Sequence, residues 1–307
     1  MVNTDRGQLL LVGSIIIALV FVGLTVLLNS VIYTENVSGG SAVEVTGDIT
    51  EFNKEARRSA RGLTIRVNHA RTYTSTAAID SNLAQNFSIY SDRLAESYAD
   101  TGSVYVNISH ERVTDPGTRV VQRADDTMPS ASPVFAAPQQ LGWFVLNLKV
   151  SELQQSPPFT VKLHDTSGST LTVEIEKTPG NKVQVNSSID GAHKSSVMCQ
   201  PAGGRVLLDL IDGTAHTGDC SFNATGFLQS PYDDIEFQNG GSAKGKLSVV
   251  VNGSDSDLNF PSSDCGAAPA TDPCHTTVAW KIEITSRYSS TAVSYDNTQN
   301  VTVYDSA

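Results

Sequence analysis

Four cysteines, Cys199, Cys220, Cys265 and Cys274, are the most reactive side chains in this sequence of 307 residues. Thiols placed this way can close disulfides, ligate a metal or stay reduced in a core. Structural zinc sites draw on C-x-x-C pairs. No such pair exists here, although His275 follows Cys274 directly. Local spacing instead pairs Cys199 with Cys220 and Cys265 with Cys274, one of three possible connectivities. Each bridge closes a short loop, worth on the order of 2–3 kcal/mol in the chain-entropy description. Two disulfides and no metal are therefore expected.

Other candidate motifs lack a necessary part. Gly240–Leu247, GGSAKGKL, nearly matches the phosphate loop G-x-x-x-x-G-K-[ST], but Leu247 supplies no hydroxyl for magnesium. The strand-like LSVVV follows where that loop requires a helix, so a hairpin turn is expected. Asp255–Phe260, DSDLNF, begins like a calcium loop, yet Phe260 stands where glycine is needed and Gly266 where the closing glutamate belongs. Asp255, Asp257 and Asp264 could form an irregular calcium site or simply a solvated acidic loop. Six histidines, His69, His110, His164, His193, His216 and His275, are scattered, with no H-E-x-x-H and no G-x-S-x-G. No catalytic residue and no cofactor is assigned, and the chain is expected not to be an enzyme. Trp143, Trp280 and the tyrosines are read as sheet core rather than as a sugar platform.

Charge narrows the partners. A net charge of −11 makes nucleic acid an unsuitable partner for the chain as a whole. The charge is uneven, however. Lys54, Arg57, Arg58, Arg61, Arg66 and Arg71 share Asp48–Arg71 with only Asp48, Glu51 and Glu55, leaving +3 there and −14 on the rest. Such a basic collar suits either a solvated face paired with nearby acids or contact with anionic lipid headgroups or an acidic neighbour.

No charged residue falls between Gln8 and Leu28. As a helix, those 21 residues reach about 31 Å, the thickness of a bilayer's hydrocarbon core. The run has no polar face, which argues against a buried core helix. A cleaved secretory signal would have a shorter apolar core and small residues at its end, whereas this run leaves through LNSVIYTENV. Arg6 precedes it and the next basic residue is Lys54, which places the N-terminus in the cytoplasm and the remainder outside. Seven N-x-[ST] sequons, at Asn36, Asn86, Asn107, Asn186, Asn223, Asn252 and Asn300, all follow the span and are possible glycosylation sites.

Arg6-Gly7-Gln8 before an apolar helix resembles the class III signal of archaeal type IV pilins and archaellins. The resemblance implies cutting after Gly7 by a prepilin peptidase, with Gln8 as the first mature residue. The wider phrase RGQLLLVG…LNSVIYTENV resembles a group of uncharacterised haloarchaeal single-span membrane proteins with a β-rich ectodomain. The pilin likeness covers about the first thirty residues. Many type IV pilins carry glutamate at the fifth mature position, where it helps subunits dock. Here that position is Val12, which points to a minor pilin-like subunit or a plain anchor rather than a major pilin.

The elements follow. Asp48-Ile49-Thr50-Glu51 has the form of a capping box. Apolar residues at Ile49, Phe52, Ala56, Ala60, Leu63 and Val67, then at Ile79, Leu83, Phe87, Tyr90, Leu94 and Tyr98, recur in steps of 3 and 4. They predict amphipathic helices near 48–70 and 77–99, packed as a hairpin. Beyond Ser103 the pattern becomes short alternating runs, including Leu171–Glu176 and Val278–Thr285. Ala292–Tyr295 and Val301–Tyr304 read as two further short strands. Thr114–Gln139, with four prolines, reads as a linker.

The expected fold class is α+β: an N-terminal transmembrane helix and amphipathic helical stalk, then a mainly antiparallel β-sandwich ectodomain. Its divisions are a cytoplasmic N-terminus or class III leader at 1–7, the transmembrane helix at 8–29, the stalk at 30–102 and the extracellular domain at 103–307, with its linker at 114–139. The expected partners are the lipid bilayer and other pilin-like subunits or envelope proteins. The expected role is structural or interaction-based at the cell surface. An anchored binding or adhesion module without a filament, and a secreted hydrolase, are the other readings.

Overall fold

The computed structural model describes residues 47–101, 104–130, 140–217, 220–222, 232–257, 263–267 and 272–304. The predicted transmembrane helix, the leader Arg6-Gly7-Gln8 and the sequons at Asn36 and Asn223 lie outside these residues. No helix among the described residues is long and apolar enough to cross a membrane.

Two helices come first, α1 described over 47–70 and α2 over Thr76–Thr101. Gly47 and Asp48 are already helical, so Asp48 is not the N-cap that the D-x-x-E pattern predicted. At α2 the carbonyl oxygen of Ser75 accepts from the Ile79 N–H and its hydroxyl from the Ala78 N–H, the N-cap arrangement that starts the helix. The helices form the expected hairpin. Phe52 meets Tyr98 edge-on at 6.1 Å between ring centroids, and the Tyr98 hydroxyl donates to Glu55.

Fourteen strands follow among the described residues: β1 Tyr105–Thr127, β2 Gln140–Lys149, β3 Phe159–Asp165, β4 Thr170–Thr178, β5 Lys182–Ile189, β6 Ala192–Cys199, β7 Arg205–Asp209, β8 Thr214–Ala215, β9 Cys220–Ser221, β10 Tyr232–Gln238, β11 Lys244–Asn252, β12 Ser263–Asp264, β13 Cys274–Ser289 and β14 Ser294–Thr302. They make a nine-stranded sheet in the order β12-β13-β1-β11-β2-β7-β8-β9, with β14 also on β13, and a five-stranded sheet in the order β10-β3-β4-β5-β6. All pairings are antiparallel except the two-residue β12–β13 contact. The fold is thus α+β with mainly antiparallel sheets.

The large sheet is buried on both faces at its centre, where one buried and one wet face was expected. Strand β11 makes this visible. Leu247, Val249 and Val251 join Phe159, Val161, Leu171, Val173 and Ile175 of the small sheet in one core. Val250, pointing the other way, joins Phe52, Ala56, Leu83 and Phe87 of the helices in a second core. The helical pair therefore packs on the body instead of standing away from it as a stalk.

Two segments differ from expectation for local reasons. Thr114–Thr127 is the second half of β1, not linker. Pro116 and Gly117 lie inside it, directly after two register shifts, one between Val113 and Asp115 and one between Asp115 and Pro116. Bulges tolerate proline because the ladder hydrogen bond is already interrupted. Pro129 is described beyond the strand, while Pro133 and Pro138 lie outside the described residues. Residues 292–304 contain one continuous strand, β14, where two short ones were read. The Gly240–Leu247 turn is also not a hairpin turn: it carries the chain from β10 in the small sheet to β11 in the large one.

Candidate functional site

The predicted disulfides form. Cys199 bridges Cys220, and Cys265 bridges Cys274. The first ties the small sheet's edge strand β6 to β9 of the large sheet. The second ties β13 to the turn after β12, with both sulfurs packed beneath Val121.

Other sequence candidates are dispersed. His110 is nearly fully buried between α2 and β1, its Nε2 2.8 Å from Asp80 Oδ1. That same oxygen accepts from the Val113 N–H at 2.7 Å, next to the bulge in β1. This pair is a packing device. His164, His216 and His275 each lie near one carboxylate, of Glu236, Asp209 and Asp255, at 3.5–3.7 Å. Asp264 accepts from the Gly266 N–H, and among the described residues no cluster of three or more His, Cys, Asp or Glu could hold a metal. Of the described sequons, Asn300 is exposed on β14, while Asn86, Asn107, Asn186 and Asn252 are half-buried. Asn86 Nδ2 donates to Asn82, and Asn107 Nδ2 donates to Ser91 Oγ.

A convergent site lies where α1 ends against the large sheet, at residues that single-sequence motifs did not select. Its floor is the sheet face opposite the small sheet. Register pairs Arg119 with Val250, Val121 with Ser248, Ser248 with Val145, and Lys246 with Asn147, while Asn147 pairs with Leu207. All of these side chains except Val250, together with Trp143 and Arg123, line a cleft of about 340 Å³. His69, in the last turn of α1, forms its wall and lies 4.7 Å from the Trp143 ring, centroid to centroid.

Arg119 holds this junction. Its Nη1 donates to the carbonyls of Asn68 and His69, both at 3.3 Å, and its Nε donates to Ser248 Oγ at 3.1 Å. The last carbonyls of a helix lack intrahelical partners and sit at the negative end of its dipole, so a cation there is stabilising. Burial lowers the guanidinium's affinity for its proton; Tyr304 offsets this in part and Arg123 adds to it. The group nevertheless stays charged. No described carboxylate pairs with it, and its Nη2 makes no hydrogen bond to a described residue.

His69 is held neutral. Burial lowers its pKa from 6.5 to about 4, with the Arg119 charge adding to the effect. The hydrogen bonds agree with that state. The Tyr304 hydroxyl accepts from Asn68 Nδ2 at 3.1 Å and can give its own proton to His69 Nε2 at 3.2 Å. Burial pushes the Tyr304 hydroxyl well above its ordinary range, so it stays a donor. The resulting set of a cation, a neutral imidazole, an indole and amide or hydroxyl groups can bind.

Residues 3–140 match a family of unknown function (DUF7261). The matched region takes in the N-terminal apolar segment, both helices, β1 and the first residue of β2. No curated protein and no solved structure matches the chain.

Proposed function

We propose that this protein is a single-span component of a cell envelope, with its N-terminus in the cytoplasm and its folded body outside, serving a structural or interaction role of the pilin-like or minor pseudopilin kind. The observation that carries this reading is Arg6-Gly7-Gln8 followed by 21 residues without charge. Such a run is long enough to cross a bilayer, and its preceding arginine sets the orientation.

Two further features support it. Disulfides persist in oxidising compartments outside the cytoplasm, and both bridges fall in the part assigned to the exterior. Lys54, Arg57, Arg58, Arg66 and Arg71 are exposed and form no ion pair among the described residues. Lys54, Arg57 and Arg58 lie on one face of α1, turned away from Phe52, Ala56 and Ala60. A cationic helix face shortly after a span suits the anionic surface of a membrane.

The second reading is a permanently anchored binding module that joins no filament. Val12 favours it, because docking of principal pilins draws on a carboxylate that this chain lacks at that position. Fractionation tests the shared claim. The protein should stay in the membrane pellet after an alkaline carbonate wash, and protease added to intact cells should digest the body. Release of the intact body by the wash would refute the anchor. Mechanical shearing separates the two readings, since filament subunits leave the cell and single anchors remain.

A further inference from the structure

We propose that the cleft at the end of α1 binds a small carboxylate attached to a ring. Three cationic side chains, Arg119, Arg123 and Lys246, meet there on a chain whose net charge is −11. All three are committed in part, Lys246 because its charge helps Arg205 to hold the Asp125 carboxyl below its ordinary range. Arg123 approaches Asp272, with its Nε 3.6 Å from the carboxylate, and Arg119 caps the helix through Nε and Nη1. The Nη2 edge of Arg119 keeps its donors, and a half-buried guanidinium with unused N–H groups is a preferred partner of a planar two-oxygen anion.

The rest of the cleft fits the body of such a ligand. Trp143 gives an aromatic face, Val121, Val145 and Leu207 apolar contacts, and Asn147 and Ser248 polar groups. A volume of about 340 Å³ falls within the range of small-molecule sites. Neutral His69 adds a second flat ring without adding charge. The recognised chemistry is one carboxylate plus one ring, whether the ring is aromatic or a sugar. This inference does not depend on how the N-terminal segment is used.

The test titrates the full chain, extracted in detergent, with benzoate and with glucuronate, read by calorimetry and tryptophan fluorescence. At least one acid should bind, and the neutral analogue benzamide should bind at least about tenfold more weakly. Binding of benzoate alone identifies an aromatic acid, and of glucuronate alone a sugar acid. Arg119→Lys keeps a cation at the helix end and should weaken binding by about tenfold or more. Lys246→Glu, at an exposed position, should do the same without moving the melting temperature, and so separates binding from folding.

Two results would overturn the proposal. One is no binding of either acid. Another is equal binding of benzamide.

Discussion

Asn68 and Ala279 exchange two hydrogen bonds. Asn68 Nδ2 donates to the Ala279 carbonyl at 2.8 Å, and the Ala279 N–H donates to Asn68 Oδ1 at 2.9 Å. A side-chain amide on α1 thus does for β13 what a neighbouring strand would do. The need is local. β14 pairs with β13 only from Lys281 onward, and on the other side Ala279 faces Pro116, which has no N–H to give. Both groups are buried, so Asn68→Ala should cost about 2–5 kcal/mol of folding stability. Urea denaturation would measure it. A loss under about 0.5 kcal/mol would mean that the helix–sheet docking does not depend on this pair.

His69 makes stability depend on pH. Its folded pKa of about 4 lies below the unfolded value of 6.5. A group with a depressed folded pKa contributes stability that is fully present above the unfolded value. That stability falls away as pH drops from 6.5 to about 4, because the unfolded chain takes up a proton that the folded one refuses. Relative to His69→Gln, the wild type should lose up to about 3 kcal/mol across that window. Parallel curves for the two proteins would show that the imidazole is not held neutral.

Gly142 on β2 lies against the aromatic pair Trp280 and Tyr304, whose rings are 5.4 Å apart. A methyl group there would sit 2.6 Å from Trp280 Cζ3 and 2.7 Å from Tyr304 Cγ. Gly142→Ala should therefore destabilise the protein by about 1–3 kcal/mol through overpacking. It should also alter the fluorescence of Trp280. Thermal melts with emission spectra would read both effects.

The two bridges should act separately because they brace different places. Replacing Cys199 and Cys220 together by Ala should cost about 3 kcal/mol, and the Cys265 and Cys274 pair a comparable amount. The sequence separations are 21 and 9 residues. Removing the first pair should loosen the edge strand β6 and leave the cleft intact. Hydrogen exchange of β6 and of β1 would distinguish the two effects.

Much of this architecture was readable wherever one face of an element is buried. Leu171, Val173 and Ile175 alternate and lie in the core, as do Val278, Trp280, Ile282 and Ile284. The helical stripes were equally plain, because Phe52, Ala56, Ala60 and Val67 all meet the sheet. Strands with a disturbed period escaped notice. β6 is mostly exposed and polar, and β10 carries a register shift between Tyr232 and Asp234 that breaks its alternation. Pro116 and Gly117 hid the second half of β1 because they usually stop a strand.

The cleft was not legible at all. Asn68 and His69 lie about 50 residues before Arg119 and about 235 before Tyr304. No short motif spans such distances. The one clue was Arg119 within an otherwise apolar run, RVV, and that signal means little without the helix end it caps.

The central claim concerns the first 28 residues and is tested most directly by the intact mass of the protein extracted from its native membrane. The account predicts a chain beginning at Gln8, lacking the seven residues through Gly7, with all four cysteines oxidised as two bridges. A chain that begins beyond Leu28 would contradict it, because the apolar segment would then be a discarded signal. A chain that retains Met1–Gly7 would leave the anchor in place and exclude the pilin-like processing.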